Sequence, residues 1–315
     1  MSSAASLTPL APDDLEAPPL SLRELTWRRF RRHRMAIFGV VVLILLVGYS
    51  FIPSFFISED YANHVDTALR LAPPSAGHPF GTDTVGRDIL VRTIYGGQIS
   101  IIIGLTAAIL EVLVGILIGA LAGYYGGLVD SLLMRFTEAI LTIPQLFLLI
   151  VMSKFFAGNV PNLELMGRTY SGSVVVIVLI IGLTSWPYLA RIVRAEVLSI
   201  KEREFILAAR ATGTPTSQII FSHILPNCMA PIVVSATLGV ANAITLEAYI
   251  SFLGMGVRAP TATWGNMLES AYKYIQNGVY WLWLFPGLLI VLIVLSINFL
   301  GDGLRDALDP RSRTV

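Results

Sequence analysis

Residues 201–226 read KEREFILAARATGTPTSQIIFSHILP, a polar, helix-prone island between long apolar segments. Residues 201–212 are good helix formers, and Gly213 supplies the stop that a helix C-terminus commonly uses. Thr214 is placed to cap a second short helix, Pro215 suits its first turn, and Pro226 marks where the pattern must change. The expectation is helix, glycine turn, helix, lying outside the bilayer. The adjacent Ala208 and Ala209 let such a helix approach another surface closely, so it can sit in a groove.

Around the island the chain is apolar enough to make lipid its main solvent. Hydrophobic residues make up 55% of the 315 and charged residues only 14%, too little polar surface for a water-soluble globule. The net charge of +1 hides strongly clustered arginines, so the sum says nothing about partners. A single cysteine, Cys228, excludes an internal disulfide.

Residues 1–24, rich in Ser, Ala, Pro, Asp and Leu, are expected to form a disordered cytoplasmic tail. The basic run WRRFRRHR at 27–34 precedes an apolar run, 35–56, long enough to cross a core of about 30 Å at about 1.5 Å per residue. That run exceeds the apolar part of a signal peptide, and the following SFFISED offers no small-residue cleavage site, so it is read as an uncleaved first span. Apolar length places five more spans at 99–122, 131–156, 173–192, 229–254 and 280–300. Six crossings put both termini on one side. With that side cytoplasmic, the inner segments hold fifteen of the 22 basic residues and the outer ones seven, the asymmetry expected of inside loops. The chain then divides into an N-terminal segment, 25–98, with the first span and an external loop; a transmembrane domain, 99–300, with a cytoplasmic loop at 194–226; and a cytoplasmic tail, 301–315.

AARATG at 208–213 followed by HILPN at 223–227 resembles the cytoplasmic EAA loop of ABC importer permeases, with matches at Ala208, Ala209, Gly213, Leu225 and Pro226. Leu207 stands where the motif's glutamate would be, and His223 where many members have isoleucine; Glu202 and Glu204 keep the helix acidic. HPFGTDTVGRDIL at 78–90, GYYGGLVDSLLMR at 123–135, EAYISFLGMGV at 247–257 and GDGLRDALDPR at 301–311 are similar to the C-type permeases of dipeptide and oligopeptide importers. The likeness runs from about Arg28 to Arg311. It implies an all-α, six-span type I ABC importer permease fold in a bacterial or archaeal cytoplasmic membrane. It further implies a coupling helix at which Glu202, Glu204, Ala208, Ala209, Arg210, Gly213, His223, Leu225 and Pro226 engage an ATPase. The implied partners are a second homologous permease chain, two P-loop ATPase subunits that bind ATP and Mg, and an extracytoplasmic solute-binding protein. The implied cargo is a di- or oligopeptide or a similar small solute, since relatives for nickel, glutathione or sugar-peptides look alike.

Three carboxylates fall inside predicted spans: Glu111 midway along the second, Glu138 about two turns into the third, and Glu247 within the fifth. Each is expected to line a translocation pathway or to sit protonated or hydrogen-bonded at a helix interface, because a charge facing lipid is expensive. Glu111, the deepest, is the leading pathway residue. In the external loop 57–98, prolines and glycines argue against one long helix. There Asp83, Arg87 and Asp88 either pair locally or belong to the landing surface for the external binding protein. Asp130 and Arg135 are expected to orient the third span near the headgroups. Pro144, Pro187 and Pro286 each remove a backbone hydrogen bond and invite a kink.

Missing motifs narrow the chemistry. None of Lys154, Lys201 and Lys273 follows a glycine, so there is no P-loop. Four histidines (33, 64, 78 and 223) and one cysteine show no metal-ligand spacing. The chain is read as a non-enzyme without a cofactor of its own. Its basic run at 28–34 abuts a span and so suits lipid headgroups rather than nucleic acid. The competing class is a secondary transporter driven by an ion gradient, with Glu111 or Glu138 carrying protons; the lack of an evident inverted repeat and the large polar island stand against it.

Overall fold

The computed structural model describes residues 22–156, 159–165 and 168–309. Most of the expected N-terminal tail lies outside them, and its last residues already belong to helix α1 (Leu22–Arg32). His33 separates α1 from α2 (Arg34–Phe51), its Nδ1 accepting from the Ala36 N–H at 3.0 Å and so capping the first span. An irregular segment containing α3 (Glu59–Asn63) leads to α4 (Ile89–Tyr125), α5 (Gly127–Thr142) and α6 (Gln145–Phe156). A small antiparallel hairpin, β1 (Leu163–Leu165) and β2 (Arg168–Tyr170), interrupts the otherwise helical fold before α7 (Gly172–Ile200). The polar island contains α8 (Glu204–Ala211) and α9 (Thr216–Gln218), and α10 (Met229–Phe252), α11 (Trp264–Ala271) and α12 (Trp281–Leu308) follow.

Among the described residues, five helical runs are long and apolar enough to cross a membrane, and α5 with α6 makes a sixth if the two are one span. This pair corrects the uninterrupted span expected at 131–156. The two helices are bent by 85°. Pro144 has no N–H to donate, and Ile143 before it is held extended at φ −81°, ψ 126°. Pro187 and Pro286, by contrast, remain inside α7 and α12.

A second correction concerns the loop expected at 57–98, whose irregular part ends at residue 88 because helix begins at 89. Asp88 Oδ1 accepts from the Val91 N–H at 3.0 Å and starts α4 ten residues early. The first turns of α4 are buried, partly under Trp264 of α11, whose indole N–H donates to the Thr93 carbonyl at 2.8 Å. With 37 residues, α4 is about 55 Å long and overreaches the hydrocarbon core. A third correction is at the C-terminus. α12 continues to Leu308, so half of the expected tail is helix and residues 310–315 lie outside the described residues.

Packing centres on α4 against α7. Gly115, Gly119 and Gly123 form a ridge at four-residue spacing on α4. A Cβ on Gly119 would stand 2.5 Å from the Ala190 carbonyl oxygen, and one on Gly123 2.8 Å from Val197 Cβ. Only bare glycine permits this approach of two backbones. α2 lies along α12 with its start beside the end of α12, where Arg29 donates to the Asp309 carbonyl at 3.1 Å and His33 stands 3.5 Å from Asp306. Both ends of the described chain therefore meet at one end of the bundle.

Candidate functional site

The island is built outward from a single anchor. Ile206 on α8 is fully buried in a cluster with Val193, Val197 and Ile200 of α7 and Ile219, Ile220 and Ile224 after α9. Ala209 is half-buried beside it, while Glu202, Glu204, Phe205, Leu207, Ala208 and Arg210 are exposed. The helix begins at Glu204, three residues later than expected, because 201–203 form a turn. Glu204 in the first turn and Arg210 in the last suit the helix dipole.

At its end the Gly213 N–H donates to the Arg210 carbonyl at 3.0 Å and the Thr214 N–H to the Ala209 carbonyl at 3.1 Å. This paired closure needs a left-handed residue, and Gly213 supplies it at φ +77°. Thr214 does not cap the next helix as expected. Its hydroxyl lies 3.4 Å from that of Thr212, and Pro215 takes the capping position without a side-chain bond. Nor does Pro226 end the helical run. A wide turn over Ile219–Ile224 tightens at Leu225–Cys228 and passes directly into α10, with Asn227 Nδ2 donating to the His223 carbonyl at 2.7 Å. His223 and Leu225 are half-buried and Pro226 is exposed on this connection.

The glycine-tyrosine turn at the end of α4 braces the island. Lys201 Nζ donates to the Gly123 carbonyl at 3.0 Å, and the Arg210 guanidinium lies over the Tyr124 ring at 5.1 Å. Asp130 pairs in bidentate fashion with Arg194 of α7, at 2.5 and 2.6 Å, instead of working with Arg135, which is exposed.

The three carboxylates of the spans separate. Glu247 is 0% exposed and accepts from Ser251 Oγ at 2.7 Å and Ser100 Oγ at 3.2 Å. That places it in the interface of α4 and α10. Glu138 is exposed on α5. Glu111 is 8% exposed and enters a cavity of about 460 Å³ lined also by Pro144, Gln145, Ser185, Tyr188, Ser235 and Asn242.

In the segment before α4, Asp83 accepts from the Val85 and Arg87 N–H groups at 2.9 Å and from Arg87 Nε at 2.6 Å. Asp88 caps α4 and meets His78 Nδ1 at 2.7 Å. Both carboxylates are buried and organise the loop itself. Sequence reasoning missed Arg168, which reaches Glu59 at 3.1 Å and Gln98 at 3.1 Å and ties the hairpin to α3 and α4. Burial pushes the Glu59 carboxyl above its ordinary value, with Arg168 opposing. The glycine ridge of α4 was legible as G-x-x-x-G-x-x-x-G at 115–123 and was also missed.

Comparison with known proteins bears on the whole chain. Residues 115–314 match the family described as binding-protein-dependent transport system inner membrane component, and residues 21–74 match the N-terminal TM domain of oligopeptide transport permease C. The dipeptide transport system permease protein DppC of Bacillus subtilis is 39% identical, over 96% of this chain and 89% of that protein. The oligopeptide transport system permease protein OppC of Haemophilus influenzae is 36% identical, over 96% of this chain and 92% of that protein. A solved structure of the MetNI methionine ABC transporter in an inward-facing conformation shares the fold. Its TM-score is 0.53 at 20% identity, covering 70% of this chain and 98% of that chain.

Proposed function

Because the chain belongs to the family of binding-protein-dependent transport system inner membrane components, we propose that it forms one transmembrane half of an ABC importer for di- or oligopeptides. The other half is a second homologous permease chain. Two P-loop ATPases bind the ATP and Mg, one docking on α8 and the other on the partner permease chain, so this subunit carries no catalytic site or cofactor of its own. An extracytoplasmic solute-binding protein delivers cargo at the opposite end, where Asp83 holds Arg87 in place for contact and Asp88 fixes the start of α4 beside it. The chain sits in a bacterial or archaeal cytoplasmic membrane with both termini and α8 on the cytoplasmic side.

The observation that carries this reading is α8, a short exposed helix anchored by buried Ile206 and joined through the Gly213 turn to the helical run 216–252 that contains α10. A push on α8 is thereby delivered to a spanning helix beside the Glu111 cavity, a route by which ATPase closure biases two access states. The test is purification of the tagged chain from its native membrane. P-loop ATPases should accompany it, with hydrolysis stimulated by solute-loaded binding protein. Uptake that follows a proton gradient with no ATPase attached would overturn the reading in favour of a secondary transporter.

A further inference from the structure

Glu111 and Glu247 have opposite surroundings although both are buried carboxylates of the same bundle. Hydroxyl donors hold Glu247. No described residue donates a hydrogen bond to Glu111 or stands beside it with a positive charge. Its carboxylate is pressed against α10 where Gly239 leaves room: a Cβ there would lie 3.1 Å from Glu111 Oε2. The group is thus directed into the cavity, whose lining among the described residues contains no Lys, Arg or His but does contain Gln145, Ser185, Ser235 and Asn242. Gln145 Nε2 donates to Ser185 Oγ at 3.0 Å, and its amide oxygen keeps its capacity to accept.

A lone carboxylate among neutral acceptors, at membrane depth, attracts a cation and not an anion. No group of three or more His, Cys, Asp or Glu suited to a metal occurs among the described residues. The shape of the demand is instead that of a primary ammonium, with three N–H donors for one carboxylate and two or more neutral oxygens. We propose that the Glu111 cavity is a transient binding site for the protonated amino group of the transported solute. The assignment rests on the permease reading above. It makes the transmembrane subunit itself a reader of the solute's amino end, with Glu111 as acceptor, Gln145 and Asn242 as neutral supports and Gly239 as the space that admits the carboxylate.

The experiment uses the assembled permease pair with its ATPases, without the binding protein. Equilibrium binding of radiolabelled Ala-Ala is measured, with glycinamide and N-acetyl-Ala-Ala as competitors. Wild type should bind Ala-Ala in the millimolar range or better, glycinamide should compete and the acetylated peptide should not. Glu111→Gln should weaken binding roughly 10- to 100-fold, the loss of one charged hydrogen-bond partner, and Glu111→Asp should retain most of it. Should the Gln variant fail to assemble, Gly239→Ala displaces the same carboxylate and should weaken binding several-fold. Absence of wild-type binding, equal competition by the acetylated peptide, or unchanged affinity in the variants would overturn the site. ATP-driven uptake by the wild-type complex with its binding protein, measured in parallel, separates these outcomes. If uptake is present the permease reading stands whatever becomes of Glu111, and if it is absent that reading itself has failed.

Discussion

Arg210, in the last turn of α8, stacks its guanidinium on the face of Tyr124, with the central carbon 5.1 Å from the ring centroid. The two residues join the island to the end of α4, and a contact of this kind contributes about 0.5–1 kcal/mol at a partly exposed site. Tyr124→Leu is expected to lower the solute imported per ATP hydrolysed by about two- to fivefold, whereas Tyr124→Phe keeps the ring face and the wild-type ratio. Equal coupling in both variants would make the stack incidental.

Gly213 closes α8 at φ +77° and a Cβ there would meet nothing within 4 Å. Strain alone therefore decides the outcome of substitution. Gly213→Val should cost about 1–2 kcal/mol and reorient the chain after α8, while Gly213→Asn, which tolerates this region, should cost less. Uptake and ATPase rates measured side by side in proteoliposomes should separate in the valine variant and stay linked in the asparagine variant.

On the α4 ridge the limiting quantity is space. A Cβ at Gly119 would lie 2.5 Å from a backbone oxygen, which cannot give way as a flexible side chain can. Gly119→Val is expected to destabilise the subunit by about 1–3 kcal/mol or more, read as a lower midpoint of thermal unfolding in detergent. Gly48→Ala is the control, since a Cβ there meets only the end of the Ile52 side chain at 3.5 Å.

At the hairpin the two partners of one ion pair should respond unequally. Arg168 also holds Gln98 and lies 4.7 Å from the Tyr95 ring centroid, so Arg168→Gln should cost about 1–3 kcal/mol. For Glu59 burial outweighs Arg168 and raises the carboxyl. The folded state then holds the proton more tightly than the unfolded chain. Its stabilising contribution is present below the ordinary carboxylate range and is lost as pH rises through the raised value. Glu59→Gln is accordingly expected to be neutral or slightly stabilising at pH 7, with the gap to wild type closing in acid. Thermal unfolding of both variants at two pH values checks this; a large loss in Glu59→Gln at neutral pH would contradict it.

Much of this was legible in the residues because it depends on neighbours a few positions away. Apolar runs of sufficient length placed the spans, since lipid demands that each backbone segment satisfy its own hydrogen bonds. The polar island stood out against them, and its glycine stop followed from the positive φ that Gly213 adopts. Other features needed partners from far along the chain. Among three prolines near spans, only Pro144 breaks its helix, with an 85° bend, a difference set by what packs around each. Asp130 met Arg194, 64 residues away, not Arg135 five residues on. In the sequence Glu111, Glu138 and Glu247 differed in depth along their spans but not in what would surround them. Tertiary packing gave one an open cavity, one an exposed face and one a pair of hydroxyls. Local sequence decides where a helix can lie in lipid; the environment of a carboxylate is a property of the helices brought against it, and only the assembled bundle determines that.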